Sequence, residues 1–306
     1  MRPDQKRFSF SKIDLFDHCG FHYKLHYVDG PQISAKGLAL DLGTMIHDAE
    51  EQIANMIKAN ERIDYAKIKN GIVLKTYELQ HDFPEEFAEP DKAGRYCRDK
   101  INEYLDHGIY RLERLMAEHP EYQIVAAELP FNILFGETRF TGKIDRILRN
   151  RSTGNFICQD IKTYPQQVEK KDLATPLQFV IYTLAIMDKF QLQEAQISCA
   201  YDLPFCDVTQ AAGTEGYMAR GRTKLTKLLA AIDKGEFVPN PTPLCHWCPF
   251  CPTNKNQPEE AKNRCPYYSL WTRENKTFQV AEEFEGLDKH DLVLERYLAK
   301  RGGKAV

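Results

Sequence analysis

Apolar positions recur at helical spacing through the first third of the chain and change to strand-like alternation in the middle. Phe8 to Cys19 opens as Phe-Ser-Phe-Ser and continues as a short amphipathic helix, with Ser11 as the expected N-cap and Asp14 three residues later. Tyr23 to Val28 follows, closed by a turn at Asp29-Gly30-Pro31. Gly43-Thr44 introduces a helix expected over Met45 to Lys58, with Ile46, Ala49, Ile53 and Ile57 as its apolar stripe. Two more helical stretches cover Tyr65 to Gln80 and Pro90 to Glu118. The period then becomes two. Tyr122 to Leu134 and Thr138 to Leu148 read as strands, Arg149 to Gly154 as a polar turn, and Asn155 to Lys162 as a third strand. A helix over Leu173 to Phe190 turns Leu177, Ile181, Leu184 and Ala185 inward, and a strand at Ala195 to Tyr201 and a helix over Tyr217 to Lys234 follow. Beyond Pro239-Asn240-Pro241-Thr242-Pro243 periodicity stops. Leu244 to Tyr268 is rich in Cys, Pro and Asn and reads as a loop that needs a ligand to hold its shape. Leu287 to Arg301 reads as a last helix and Arg301 to Lys304 as a frayed tail.

The chemistry of this pattern concentrates on the second and third strands. Asp160 and Lys162 are two apart, so a strand places both on one face with Ile161 turned to the other. Asp145, one hairpin earlier, reaches the same spot. Two carboxylates and an ammonium suit a divalent metal beside a phosphate. Mg2+ or Mn2+ takes oxygen ligands, here Asp145, Asp160 and the Ile161 carbonyl, while Lys162 orients the water and neutralises phosphate charge. Taken alone, Asp-x-Lys describes an ordinary solvated ion pair. What favours the metal is that Asp145 sits in an otherwise apolar strand, where an unpaired acid is costly. Glu128 is a second-tier acid on the neighbouring strand that could ligate a metal or hydrogen-bond a ligand, with a plain exposed position as the favoured reading. His47, in the first turn of its helix with Glu51 one turn on, and the Gln178/Tyr182 pair at i and i+4 mean little one by one.

Composition narrows the class only slightly. The chain has 306 residues, is 42% hydrophobic and 28% charged, and has a net charge of −3 that does not advertise a nucleic-acid binder. No run of about 18 apolar residues predicts a membrane span. The first residues lack an apolar signal region, so a cytoplasmic location is expected, in the host cytoplasm for a phage-encoded form. In a reducing compartment nine cysteines point to metal rather than disulfides.

Read in order, Gly43-Thr44-x-x-His47-x-x-x-Glu51, Gly142-Lys143-Ile144-Asp145, Asp160-Ile161-Lys162-Thr163 and Gln178-x-x-x-Tyr182 resemble the RecB-like branch of the PD-(D/E)XK nucleases. Phe8-Ser9-Phe10-Ser11, Leu15, Cys19 and Tyr23-Lys24-Leu25 resemble that branch's N-terminal signature, and the nearest pattern is that of the small iron–sulfur exonucleases of CRISPR-associated and phage-encoded type. The likeness spans about residues 8 to 268, interrupted by unmatched helices from Tyr65 to Glu118. It implies an α/β restriction-endonuclease-like core, with a mixed sheet flanked by helices. His47, Asp145, Asp160 and Ile161 would hold metal, Lys162 would be the catalytic lysine, and Gln178 and Tyr182 would shape the DNA-facing wall. It also implies a nuclease domain over residues 1–240 with a helical insertion at about 60–120, a Cys-rich segment over 241–270 joined to Cys19, and a helical tail over 271–306. The expected substrate is DNA, single-stranded or at duplex ends. A helicase, recombinase or integration complex is a compatible partner, and a non-catalytic DNA-binding scaffold with a nuclease fold, or a zinc-stabilised interaction protein, is the alternative. Tyr23, Lys24 and Tyr27 could stack and guide a single strand, and the bland reading is that these aromatics simply pack the first helix.

In the iron–sulfur relatives one early cysteine joins three late ones around a 4Fe-4S cluster. Cys19, Cys245, Cys248 and Cys265 fit that set, and Cys251 is an alternative fourth ligand. A local zinc site of Cys245, Cys248, Cys251 and Cys265, with His246 at hand, is the competing reading, and unligated thiols the bland one. Cys97, Cys158, Cys199 and Cys206 read as small core residues.

Overall fold

A computed structural model describes residues 7–30, 37–91, 94–164 and 166–240, and beyond them residues 242, 245, 247–252, 254, 257–262, 264–265, 267–269 and 278–280. The helix expected over Leu287 to Arg301, the tail after it, and His246 lie outside the described residues. Helices are α1 (Phe10–His18), α2 (Gly20–Tyr27), α3 (Leu38–Lys58), α4 (Tyr65–Asp82), α5 (Pro84–Ala88), α6 (Cys97–Asp106), α7 (Arg111–Glu118), α8 (Lys170–Leu173), α9 (Leu177–Phe190) and α10 (Tyr217–Asp233). Strands are β1 (Arg7–Phe8), β2 (Tyr122–Phe135), β3 (Thr138–Asn150), β4 (Phe156–Ile161), β5 (Ile197–Leu203), β6 (Val208–Ala212), β7 (Tyr267–Ser269) and β8 (Phe278–Val280). The chain divides into two compact units, one of Met1–Phe8 with Ala35–Arg222, the other of Ser9–Ser34 with Thr223–Val306.

The first unit is built on β3. β2 runs antiparallel along its whole length, and β1 and β4 share its other edge, β1 parallel at Arg139–Phe140 and β4 antiparallel at Arg146–Arg149. β4 continues parallel to β5, and β5 antiparallel to β6, so the sheet is mixed. The β2–β3 turn is a two-residue Gly136-Glu137 loop, and Gly136 at φ +59° supplies the left-handed backbone that such a tight hairpin favours. Parallel pairing of β4 and β5 requires a crossover, which α9 provides, packing on β2, β4 and β5. Helices α3, α4, α6 and α7 close a core with Ile124, Leu148 and Phe205. This is the restriction-endonuclease-like arrangement of a mixed sheet flanked by helices.

Several expected boundaries shift for local physical reasons. The first helix is capped by Ser9, whose hydroxyl accepts from the Lys12 N–H at 3.2 Å, not by Ser11. Helix α3 starts at Leu38 rather than Met45, because burial of Leu38 and Leu42 extends the apolar stripe back past Gly43. His47 therefore lies in the third turn, not the first. The helix expected over Pro90 to Glu118 is broken: Gly94 takes φ +77°, and at Gly108 a Cβ would stand 2.6 Å from the Pro204 carbonyl oxygen. Helix α9 begins after Pro176, consistent with proline's bias against helix in the preceding residue. Strand β6, short and rich in small residues, gave no sequence signal. No described helix is long and apolar enough to cross a membrane.

In the second unit the backbone of Phe237 and Val238 crosses Gly20 so closely that a Cβ there would meet the Val238 nitrogen at 2.9 Å. This crossing brings Asn240 onto Cys19. Phe21, Leu25, Phe250, Ala261 and Cys265 form a small apolar cluster, with Cys19 and Cys248 packed against it.

The Gly108 contact makes a testable claim. Gly108→Ala should cost about 1–3 kcal/mol in urea unfolding, because the new methyl meets backbone rather than a yielding side chain. Gly71→Ala, in open space on α4, should stabilise by up to about 1 kcal/mol. Equal effects of the two would refute the close approach.

Candidate active site

Strand pairing brings the sequence-flagged residues together. Asp145 lies on β3 and Asp160 on β4, and Asp145 Oδ2 accepts the Ile161 N–H at 2.6 Å, which locks the two strand ends in register. Lys162 follows β4, its Nζ 2.8 Å from Asp160 Oδ2 and donating to Gln178 Oε1 at 3.2 Å. Gln178 Nε2 donates to Asp160 Oδ1 at 2.6 Å and to the Tyr182 hydroxyl at 2.9 Å. The i, i+4 pair on α9 thus fixes one carboxylate oxygen. Asp160 Oδ2 is fully buried and receives no hydrogen bond; Lys162 meets it as a charge without a well-directed N–H.

His47 comes from α3. Its Nδ1 lies 3.7 Å from Asp145 Oδ2 and 3.8 Å from Glu128 Oε1. Glu128 is the residue that sequence reasoning underrated. It stands opposite Asp145 on β2, its side chain only 18% exposed, with backbone at φ +46°, in the left-handed region that non-glycine residues rarely occupy. Its other oxygen lies 3.4 Å from Lys143 Nζ. The signal was present: an acid inside Ala-Ala-Glu-Leu-Pro. The backbone twist that aims it was not. Gly142 belongs to the same layer, since a Cβ there would strike the Phe131 ring at 2.9 Å, and that ring packs edge-on against Tyr182.

The charges explain one another. Burial pushes the Asp145 carboxyl up to about 7, and Asp160 beside it pushes the same way, against His47, the Ile161 N–H and Lys162. Burial likewise raises Asp160 above the usual carboxylate range, though Lys162 and His47 oppose it. Burial alone would lower His47, but Glu128, Asp145 and Asp160 outweigh it and hold the imidazolium above its ordinary pKa. Burial would lower Lys162 too, and Asp160 reverses that. Glu128, with the His47 imidazolium and then Lys143 beside it, is held below the usual range. Burial raises Tyr182, which stays a neutral hydroxyl.

His47, Glu128 and Asp145 each offer a ligand atom, and these atoms lie within 4.8 Å of one another. Donors around an octahedral Mg2+ sit about 3 to 4 Å apart. A hard divalent ion fits this donor set, and the unsatisfied Asp160 oxygen beside it points to the same chemistry.

A family model described as the PD-(D/E)XK nuclease superfamily matches residues 7–253. The chain belongs to that superfamily. Its members are nucleases that use Mg2+ or Mn2+, and the acidic cluster of this PD-(D/E)XK chain lies where its two strand motifs meet. No curated protein matches the chain. A solved structure titled "Crystal structure of SSO0001" is 14% identical, covering 62% of this chain and 85% of that one, with a TM-score of 0.28, too low to carry an argument.

The structure also relocates some expected residues. Glu51 is not the buried acid of α3; Glu50 is, at 2% exposure. Tyr23 is 3% exposed, enclosed by Phe16, Tyr27 and Phe237, so it is closed to a DNA base. Lys24 pairs with Asp29 at 2.7 Å, and Tyr27 is half-buried beneath Lys12. Cys97, Cys158 and Cys199 are core residues, while Cys206 is half-buried.

The raised carboxyls set a pH dependence. A carboxyl whose folded pKa exceeds its unfolded value near ~3.9 contributes stability that is full below the unfolded value and lost as pH rises through the folded one. For Asp145 that window ends at about 7, and His47 acts in the same sense. Chelator-treated protein should lose melting temperature as the pH rises from about 4 to about 7. Asp145→Asn should remove most of that loss, and Mn2+ should restore the native melting point at pH 8.5. A native profile that matches Asp145→Asn would show that the two carboxylates do not share a proton.

Proposed function

We propose that this chain is a metal-dependent DNA exonuclease acting at ends or on single strands, with an iron–sulfur cluster as a structural staple. The supporting observation is the cluster of His47, Glu128 and Asp145, with the buried Asp160 beside Asp145 and Lys162 2.8 Å from Asp160. In this reading Asp145, Asp160, His47 and the Ile161 carbonyl hold Mg2+ or Mn2+, and Glu128 joins them. The ion supplies charge neutralisation at the phosphate and a more acidic water. Lys162, kept protonated by Asp160, donates to a phosphate oxygen or to the attacking water. Gln178 and Tyr182 orient Asp160 and offer the hydroxyl that borders the DNA backbone.

The second unit supports a thiolate-bound cluster. Cys19 Sγ accepts N–H groups from His22 and Asn240, each at 3.4 Å, and Cys245 Sγ accepts from Thr242 at 3.4 Å. The Phe250 and Cys251 N–H groups face the Cys248 sulfur. Burial holds the uncomplexed Cys248 thiol up to about 12, with Cys19 and Cys245 close enough to add to the effect. N–H donors to sulfur are what a bound thiolate uses and a neutral thiol does not need. Cys265 belongs to the apolar cluster against which Cys19 and Cys248 pack, which favours it over Cys251 as the fourth ligand.

Two experiments test this. End-labelled linear single- and double-stranded DNA, with covalently closed circles alongside, should be degraded with Mg2+ or Mn2+ only where an end exists. Asp160→Asn and Lys162→Ala should each reduce the rate by about 100-fold or more while remaining folded. Cleavage of closed circles would make the enzyme an endonuclease, and retained activity in Asp160→Asn would remove the site. For the staple, anaerobically purified protein should contain iron and sulfide, and Cys19→Ala should lose both. Zinc retained at full occupancy in Cys19→Ala would favour the local site of Cys245, Cys248, Cys251 and Cys265.

A further inference from the structure

Arg146 is the largest fully buried side chain of the molecule, 1% exposed, and it follows Asp145 on β3. Strand alternation turns it away from Asp145. Its guanidinium reaches three acceptors: Nε donates to Gln159 Oε1 at 2.8 Å, Nη1 to Glu50 Oε2 at 3.1 Å, and Nη2 to Asp202 Oδ2. Each partner is one step from a site residue. Gln159 precedes Asp160. Glu50 lies three residues after His47 on the same face of α3. Asp202 accepts the Lys162 N–H on its backbone carbonyl at 2.9 Å.

We propose that Arg146 is the positioning residue of the active site, one guanidinium that sets His47, Asp145, Asp160 and Lys162 relative to one another through their immediate neighbours. The inference rests on the nuclease reading above. The buried centre of the network is charge-balanced, and it extends outward through Arg111 to Asp207 and Arg114. Arg111 Nε donates to Asp202 Oδ1 at 2.6 Å and the Tyr104 hydroxyl to Glu50 Oε1 at 2.8 Å, so two guanidinium groups meet two carboxylates. Stability alone is a poor reason for such a cluster, because buried ion pairs are often no better than apolar residues of the same volume. A planar fork that addresses three acceptors in fixed directions is a good geometric reason, and an ammonium cannot replace it. Metal sites respond strongly to the groups that orient their ligands.

The test compares native protein with Arg146→Lys, which keeps the charge and loses the fork, and Gln159→Met, which removes one acceptor and keeps the volume. Thermal melting reports the fold, the electron paramagnetic resonance signal of free Mn2+ reports metal affinity, and kcat and KM are measured on linear DNA. Folded Arg146→Lys should bind Mn2+ about 10- to 100-fold more weakly, with kcat reduced and KM little changed, and Gln159→Met should show a smaller loss of the same kind. A merely structural arginine would lower the melting point and leave the Mn2+ affinity of the folded protein alone. A folded Arg146→Lys with Mn2+ affinity within about twofold of native and native kcat overturns the proposal; if that variant does not fold, Gln159→Met decides by the same criterion. Native protein that neither binds Mn2+ nor cuts DNA would instead remove the nuclease reading, and this inference with it.

Discussion

Two carboxylates buried side by side set the terms for the first unit. Asp145 and Asp160 sit at the strand ends with little water to screen them, and neither can carry its charge there without help. The help comes from groups on different elements: the Ile161 N–H from β4, Lys162 just beyond it, Gln178 from α9 and the His47 imidazole from α3. One oxygen is still left without a hydrogen bond. A protein stabilised by packing alone would not retain this arrangement. A divalent cation would remove the conflict, and that is the role proposed for these atoms.

Holding such a site requires rigidity at several scales. Close backbone approaches at Gly108 and the Gly142–Phe131 contact fix local layers, and Glu128 accepts a left-handed backbone to bring its carboxylate to His47. Arg146 works at a larger scale. Its partners lie on α3, β4 and β5, so a shift of any one of these elements would break a buried, charge-assisted hydrogen bond. In the second unit the same logic applies to sulfur. The Asn240 N–H is directed at Cys19 by a chain crossing that only glycine at position 20 permits, while the His22 and Thr242 N–H groups reach Cys19 and Cys245 from three residues away in sequence.

The chemistry was legible from the residues because its parts lie in short, ordered motifs. Gly142 to Asp145, Asp160 to Thr163 and the Gln178/Tyr182 spacing named the acids, the lysine and their polar neighbours before any coordinates, and alternation correctly gave β2, β3 and β4. Less legible were features set by long-range burial. Helix α3 runs seven residues further back than Gly43-Thr44 indicated, Glu50 turns inward without any signal in the sequence, and Tyr23 is enclosed, as the plain packing reading of that segment had it.

What the sequence by itself determined is the set of reactive groups, their order and the elements that carry them, because periodicity and motif spacing are local properties of the chain. What only the tertiary structure decided is which of those groups face one another. Glu128 became part of the site through its own left-handed backbone within β2, and Arg146 became its anchor because partners at positions 50, 159 and 202 meet only after the sheet and α3 have packed. Contacts across more than fifty residues leave no periodic trace. They arise where burying a charge forces every neighbour to supply its counterpart.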